Sequence, residues 1–200
     1  MEHIKHAIYI NLDRRTDRRA DFTAECERIG LRVERFPAIE SQPGFVGCHK
    51  SHIAVLKMAK ANNWEHVLIF EDDFQFLVDA VTFQANLEQF FASNTPYDVL
   101  MLSYNIQRSE PVNELISKVY EAQTASGYLV HSRFYDTLIQ NLEDNLAPLE
   151  HTGAHWLHLN DQCWKSVQPA AAWYYFNTRI GKQRPSYSDL ANRFMDYNGI

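Results

Sequence analysis

Apolar residues in this chain come in short runs that stop abruptly, and the stops mark out its elements. His6 to Leu12 is a brief apolar run ending in polar residues, the pattern of a buried strand running into a loop. Charged residues follow from Asp13 to Asp17. Thr16 or Asp17 is placed to cap a helix running through Glu27, with Gly30 to end it. Leu31 to Ile39 alternates through Leu31, Val33 and Phe36, which predicts a second strand, and Ser41-Gln-Pro-Gly44 is turn chemistry. From Cys48 to Asn62, the apolar positions Ile53, Leu56, Met58 and Ala59 recur at roughly helical spacing. His66 to Phe70 is the strongest strand signal, uninterrupted as a strand covered on both faces should be. A helix over about Ala80 to Phe91, a strand over Tyr97 to Leu102, a shorter strand over Ser126 to Val130 and a helix through Leu142 complete the regular part.

Strands alternating with helices of this length predict an α/β domain with a mostly parallel central sheet. No repeat or low-complexity linker divides the chain. Residues 1–200 therefore read as a single domain, with about 148–200 as a less regular C-terminal layer wrapped on the sheet. With 46% hydrophobic and 22% charged residues, the chain can bury a sizeable core, and disorder is excluded as the default. Apolar runs break long before the ~20 residues that span a bilayer, so no transmembrane segment is expected. The start has no signal-peptide pattern. Three cysteines, Cys26, Cys48 and Cys163, cannot all pair and fit a reducing compartment, so a cytoplasmic location is expected. A net charge of −6 with interspersed signs argues against a nucleic-acid partner.

The buried run before Glu71-Asp72-Asp73 is the most informative local feature. In open α/β sheets, ligands bind at the carboxyl ends of strands. Three carboxylates there repel one another unless a cation sits between them, and hard oxygen ligands suit Mn²⁺ or Mg²⁺. In extended backbone, Glu71 and Asp73 would point one way and Asp72 the other. The alternative is a solvated acidic loop capping the next helix. Phosphoribosyltransferases also place paired acids after an apolar strand, but the threonine-glycine phosphate loop that should follow is missing here. Response regulators carry their acids far earlier in the chain.

Two further clusters accompany it. Arg14, Arg15, Arg18 and Arg19 lie just beyond the first strand, where guanidinium groups and a helix start would suit a nucleoside diphosphate. Pairing of these arginines with Asp13, Asp17 and Asp21 is the competing reading. In Gly47-Cys-His-Lys-Ser-His52, Cys48 and His52 lie four apart on one helix face; zinc is one option, though no second pair lies at zinc-site spacing. The other option is a close backbone approach at Gly47, with Ser51 and His52 bonding a ligand or the neighbouring strand end.

Tyr-x-Asn-Leu-x-Arg-Arg-x-Asp-Arg from Tyr9, Gly-Cys-x-x-Ser-His from Gly47 and the strand-Glu-Asp-Asp motif occur in this order over roughly Ile8 to Phe76. Together they resemble glycosyltransferase family 25, the group of lipopolysaccharide-biosynthesis glycosyltransferases and collagen β-galactosyltransferases. Thr124-Ala-Ser-Gly-Tyr-Leu-Val130 and Gln183-Arg-Pro-Ser-Tyr-Ser-Asp-Leu190 extend the resemblance. It implies a GT-A-type (Rossmann-like) fold, a nucleotide-sugar donor, often a UDP-hexose, and a glycan or glycoconjugate acceptor. Mn²⁺ or Mg²⁺ would be held by Glu71 and Asp73, with Asp72 open as a further ligand. The resemblance further implies donor contacts from Asn11, Arg14, Arg18, Ser51, His52 and Asp189. Asp189 has a second reading as the cap of a C-terminal helix. Acceptor contacts would come from Gly127, Tyr128 and Trp164, and inversion would use one displacement with Asp161 as base. A peripheral membrane contact is consistent with the lipopolysaccharide branch.

His151, His155 and His158 fall on roughly one helix face; a third metal ligand or a solvated or core cluster are the readings. Trp156, Trp164, Trp173, Tyr174 and Tyr175 are candidate sugar-stacking platforms, most of them expected to be core. A non-catalytic sugar-nucleotide binder and a metal-dependent phosphohydrolase remain as alternatives.

Overall fold

The computed structural model describes residues 2–188 and 193–196. Its elements in chain order are β1 (Ala7–Asn11), α1 (Thr16–Ile29), β2 (Glu34–Pro37), α2 (Gly44–Ala61), β3 (His66–Glu71), β4 (Phe74–Phe76), α3 (Ala80–Ala92), β5 (Val99–Met101) and the hairpin β6 (Asn105–Pro111) with β7 (Ile116–Gln123). There follow β8 (Gly127–His131), α4 (Tyr135–Thr152), the short α5 (His155–His158) and α6 (Asn160–Cys163), β9 (Trp173–Phe176), β10 (Gly181–Gln183), β11 (Ser186–Ser188) and β12 (Arg193–Met195).

Eight strands form one sheet in the order β2-β1-β3-β8-β5-β9-β7-β6. The expected parallel arrangement holds for β2-β1-β3 and for β5-β9. Strand β8 enters antiparallel between β3 and β5, and β7 and β6 extend the sheet antiparallel beyond β9. The sheet is therefore mixed. Outside it, β4 pairs with β10 and β11 with β12.

Helices cover both faces. Val67 and Ile69 of β3 join the core under α2 and α4, with Leu56, Leu138 and Trp173. Leu68 and Phe70 join the core under α1 and α3, with Phe22, Phe83 and Phe90. Alternation sends successive side chains to opposite faces. Because both faces are covered, the run from Val67 to Phe70 has no polar position.

Several boundaries differ from the sequence reading. Gly30 ends α1 in the left-handed conformation, as expected, at φ 70°. Its start lacks a side-chain cap: Arg15 holds the cap position, and Asp17 pairs with Arg15 instead of capping. Helix α2 starts at Gly44, ahead of Cys48. Helix α4 runs on past Leu142 through Pro148 and stops at Gly153. The hairpin at 105–123 escaped prediction, and Asn113 shapes its turn by accepting from the backbone N–H groups of Leu115 and Ile116. Residues 173–176 are not part of a wrapped layer; they are a strand inside the sheet, between β5 and β7. Among the described residues, no helix is long and apolar enough to cross a membrane, and all three cysteines are free.

Candidate active site

Parallel neighbours β1 and β3 end side by side, and the first turns of α1 and α2 face the same corner. These elements and the segment 38–45 enclose a cavity of about 570 Å³, lined also by Arg14, Arg15, Arg18, Cys48, His52, Glu71, Asp72, Asp73 and Gln183. This is the carboxyl end of the parallel strands, where ligands bind in open α/β sheets.

Glu71 is the last residue of β3, and the chain turns at Asp72-Asp73 before β4. The strict alternation expected of extended backbone therefore does not hold. Asp72 and Asp73 share one cation: an Arg18 terminal nitrogen donates to Asp72 Oδ1 at 2.8 Å and to Asp73 Oδ2 at 3.2 Å. The other Arg18 terminal nitrogen donates to Ser186 Oγ and to the Tyr187 carbonyl. Asn11 Nδ2 donates to the second oxygen of Asp72 at 2.7 Å. Asp73 Oδ1 is buried and has no hydrogen-bond partner. On the other side, Glu71 Oε1 faces His52 Nε2 at 3.2 Å and accepts from Cys48 Sγ at 3.6 Å.

The electrostatics follow from this crowding. Burial, and then the charge of Glu71, push the Asp73 carboxyl up to about 7 against the pull of Arg18. Burial also raises Asp72, with Arg18 and Asn11 opposing. Burial acts upward on Glu71 too, but the hydrogen bond and charge of His52, helped by Arg18 and Cys48, carry it below the usual carboxylate range.

The other residues singled out in the sequence divide clearly. Arg14 and Arg18 reach the cavity, although Arg14 is exposed and paired with Glu40, and Arg18 is spent on the acids. Of the pairings considered for the arginines, Arg15 with Asp17 forms, while Asp13 and Asp21 are taken by Arg35 and Arg184. Asn11 is buried and does not line the cavity. It is a hub that donates to Asp72 and the Arg15 carbonyl and accepts from Arg35.

Ser51 is also buried. It accepts from the Ile39 N–H just beyond β2 and donates to the Gly47 carbonyl, so it latches a strand end and does not face a donor. His52 lines the cavity, with its other nitrogen 2.7 Å from the Tyr128 hydroxyl. Gly127 and Trp164 offer no surface to an acceptor. A Cβ on Gly127 would run into Phe74, and Trp164 is core with its indole N–H on the Ala122 carbonyl. Tyr128 is likewise buried, and its hydroxyl meets His52.

Asp161 is not among the residues that line the cavity; its carboxylate accepts from the Thr124 N–H at 3.1 Å, and its charge is felt by Cys48. Asp189 falls outside the described residues. The three histidines do not share a face, because Gly153 breaks the helix between His151 and His155; His155 packs on Phe45 and His158 bonds Asn145. Trp173 is core, whereas Trp156 is 63% exposed beside His155.

Sequence reasoning missed the approach of Cys48 to Glu71, the use of Arg18 as counterion to the acids, and the segment 38–45 as a wall. The close backbone approach expected at Gly47 is real, and this segment is what makes it. A Cβ on Gly47 would collide with the Ile39 carbonyl oxygen and press on the Ser41 N–H at 3.1 Å. Gly47→Ala is expected to cost on the order of 1–3 kcal/mol and to weaken ligand binding in the cavity; denaturant melts and ligand titration of the variant check both.

No family profile matches the chain. A segment covering 36% of it is 29% identical to a protein named glycosyltransferase 25 family member from Anopheles gambiae, and 30% identical to one of the same name from Aedes aegypti. The match takes in only 17% of the length of each of these relatives. Among solved structures, a glycosyltransferase involved in the glycosylation of the major capsid of PBCV-1 superposes with a TM-score of 0.54. That match covers 94% of this chain and 95% of the other at 8% identity, a likeness of fold alone. The molecule thus has the GT-A-type α/β fold of glycosyltransferases. Over the matched segment, its sequence is similar to proteins named glycosyltransferase 25 family member, the family that the three ordered motifs resemble.

Proposed function

We propose that this chain is the catalytic unit of a metal-dependent glycosyltransferase moving a hexose, galactose or glucose, from a UDP-sugar to a glycan or glycoconjugate hydroxyl with inversion. The observation that carries the reading is Asp73 Oδ1, an unpartnered carboxylate oxygen buried on a carboxylate-rich cavity wall. Two of the three acids there share the half-buried Arg18 guanidinium, and an orphaned hard oxygen beside Glu71 suits a divalent cation. Glu71 and Asp73 would hold Mn²⁺ or Mg²⁺, which when bound would offset charge on the departing diphosphate. Arg14 and Arg15 at the rim supply guanidinium groups of the kind that bind phosphate oxygens. Arg18 fixes Asp72 and Asp73 in place.

Asp161 is the proposed base. Burial, then the charge of Glu71, hold its carboxyl above the usual range and make it a better proton acceptor. Asp161→Asn is expected to lower turnover by on the order of 10²–10⁴-fold while donor affinity stays unchanged; steady-state kinetics beside a donor titration separate the two.

A panel of UDP- and GDP-sugars, with and without Mn²⁺, tests the reading through the product released. Metal-dependent release of nucleoside diphosphate from one donor is expected. Release of inorganic phosphate or sugar phosphate would identify a phosphohydrolase and overturn it. Donor binding without release, even with a panel of glycan acceptors added, would identify a binding module.

A further inference from the structure

Spacing of four on α2 puts Cys48 and His52 on one helix face, and that face meets the last residue of β3. We infer that Cys48, His52 and Glu71 form a site for a soft divalent cation of the Zn²⁺ type, distinct in ligand chemistry from the hard-cation pair Glu71 and Asp73. One ligand atom from each of the three residues lies within 4.8 Å of the other two.

A zinc tetrahedron built with Zn–S near 2.3 Å and Zn–N or Zn–O near 2.0–2.1 Å has edges of roughly 3.3–3.6 Å. The edge from His52 Nε2 to Glu71 Oε1 is 3.2 Å, and that from Cys48 Sγ to Glu71 Oε1 is 3.6 Å. Two of the three edges are therefore already near coordination length. The third, from Cys48 Sγ to His52 Nε2, is within 4.8 Å.

The second observation is the partner of His52. Its Nδ1 sits 2.7 Å from the buried Tyr128 hydroxyl, which fixes the ring with Nε2 aimed at Glu71. Histidines that ligate metals are oriented in this way by a partner on the other nitrogen. The third observation is access. All three side chains line the cavity, so three protein ligands leave a fourth position open to it, the pattern of reactive rather than purely structural zinc sites. A thiolate and an imidazole favour Zn²⁺ over Mg²⁺ or Mn²⁺. On binding, the Cys48 S–H proton and the Nε2–H proton that His52 directs at Glu71 are released as the metal–sulfur and metal–nitrogen bonds form, and the neutral ring then carries its one proton on Nδ1, donating to the Tyr128 oxygen. Because Glu71 belongs to both sets, Zn²⁺ here would compete with a hard cation at the proposed donor site.

Titration with Co²⁺, a spectroscopic stand-in for Zn²⁺, tests this without any turnover, so its failure and failure of the transferase reading are distinguishable. The wild type is expected to develop a near-ultraviolet thiolate-to-cobalt charge-transfer band and intense visible bands of a tetrahedral site. Both should saturate at one equivalent and be displaced by Zn²⁺. Cys48→Ser removes the charge-transfer band, Cys26→Ser keeps it, and Tyr128→Phe weakens affinity about 10–100-fold. Should Cys48→Ser fail to fold, alkylation of wild-type Cys48 gives a second readout, slowed by Zn²⁺ but not by Mg²⁺. A weak octahedral spectrum alone, a band that survives in folded Cys48→Ser, or alkylation indifferent to Zn²⁺ would overturn the site.

Discussion

Asp73→Asn is expected to cut nucleoside diphosphate release by on the order of 10³-fold and, at the same time, to make the metal-free protein more stable at high pH. The first effect follows from removing the orphaned oxygen that suits a cation. The second follows from linkage. Burial and the charge of Glu71 put the folded Asp73 carboxyl at about 7, against 3.8 for the free side chain. A raised carboxyl contributes its stability below the unfolded value and loses it as pH climbs through the folded one. The wild type therefore loses stability from this group between about pH 4 and 7, and the asparagine variant does not. At about 1.4 kcal/mol per pH unit, the gap reaches a few kcal/mol. Melts of both proteins in chelator at pH 5 and pH 8 measure it: the variant's advantage should widen at pH 8. An equal gap at both values would show that Asp73 is not held in this state. Loss of activity with gain of stability separates a functional carboxylate from a structural one, since functional sites carry locally unfavourable groups that the rest of the fold tolerates.

Arg18→Met should have the largest structural effect. The methionine keeps the apolar stem but leaves Asp72 and Asp73 without their shared cation, removes the Arg18 donor from Ser186 Oγ, and leaves the Tyr187 carbonyl with Arg15 alone. Breaking a buried pair from one side costs about 3–5 kcal/mol, because the remaining charge stays uncompensated. For a chain of this length, that is a fall in Tm on the order of 10 °C. The loss should be greatest at pH 8 and shrink toward pH 5, where Asp73, with its carboxyl raised to about 7, takes up a proton instead. Mn²⁺ should raise the Tm of the variant more than that of the wild type, since it supplies the missing positive charge. A pH-independent loss untouched by Mn²⁺ would mean that Arg18 contributes only packing.

The same two residues show how far the sequence could be read. Asp73 was found because β3 is covered on both faces: an apolar run with no polar interruption makes the acids after it stand out, and strand ends are where ligands sit. Gly30, the bounds of α3 and the short strand β8 were legible for similarly local reasons. Arg18 was assigned to a donor phosphate because its neighbours in sequence are arginines. Its true partners lie 54 and 55 positions away, and no periodicity reports such a pairing. Cys48 and Glu71 are separated in the same way, by 23 positions.

Elements escaped for physical reasons as well. β6 is mostly exposed and its register with β7 shifts twice, so it lacks clean alternation. β9 reads Trp-Tyr-Tyr-Phe, with no polar position to mark a face, and it pairs far from its chain neighbours. Helix α4 continues through Pro148, a residue that usually ends a helix; the Thr152 hydroxyl donates back to the Pro148 carbonyl near its close. Gly127 and Trp164 were assigned to an acceptor from a motif, yet both are packed into the core. A motif conserves a fold position as readily as a contact.

The central claim is that the carboxylate corner and arginine rim of the cavity hold a nucleoside diphosphate through a divalent cation. Calorimetric titration of UDP into the wild type and into Asp73→Asn, each with Mn²⁺ and with chelator, tests it most directly. UDP binding that needs Mn²⁺ and weakens by at least tenfold, about 1.4 kcal/mol, in Asp73→Asn is the expected result. Binding of equal strength with and without metal, or no binding by the folded wild type under any condition, would contradict it.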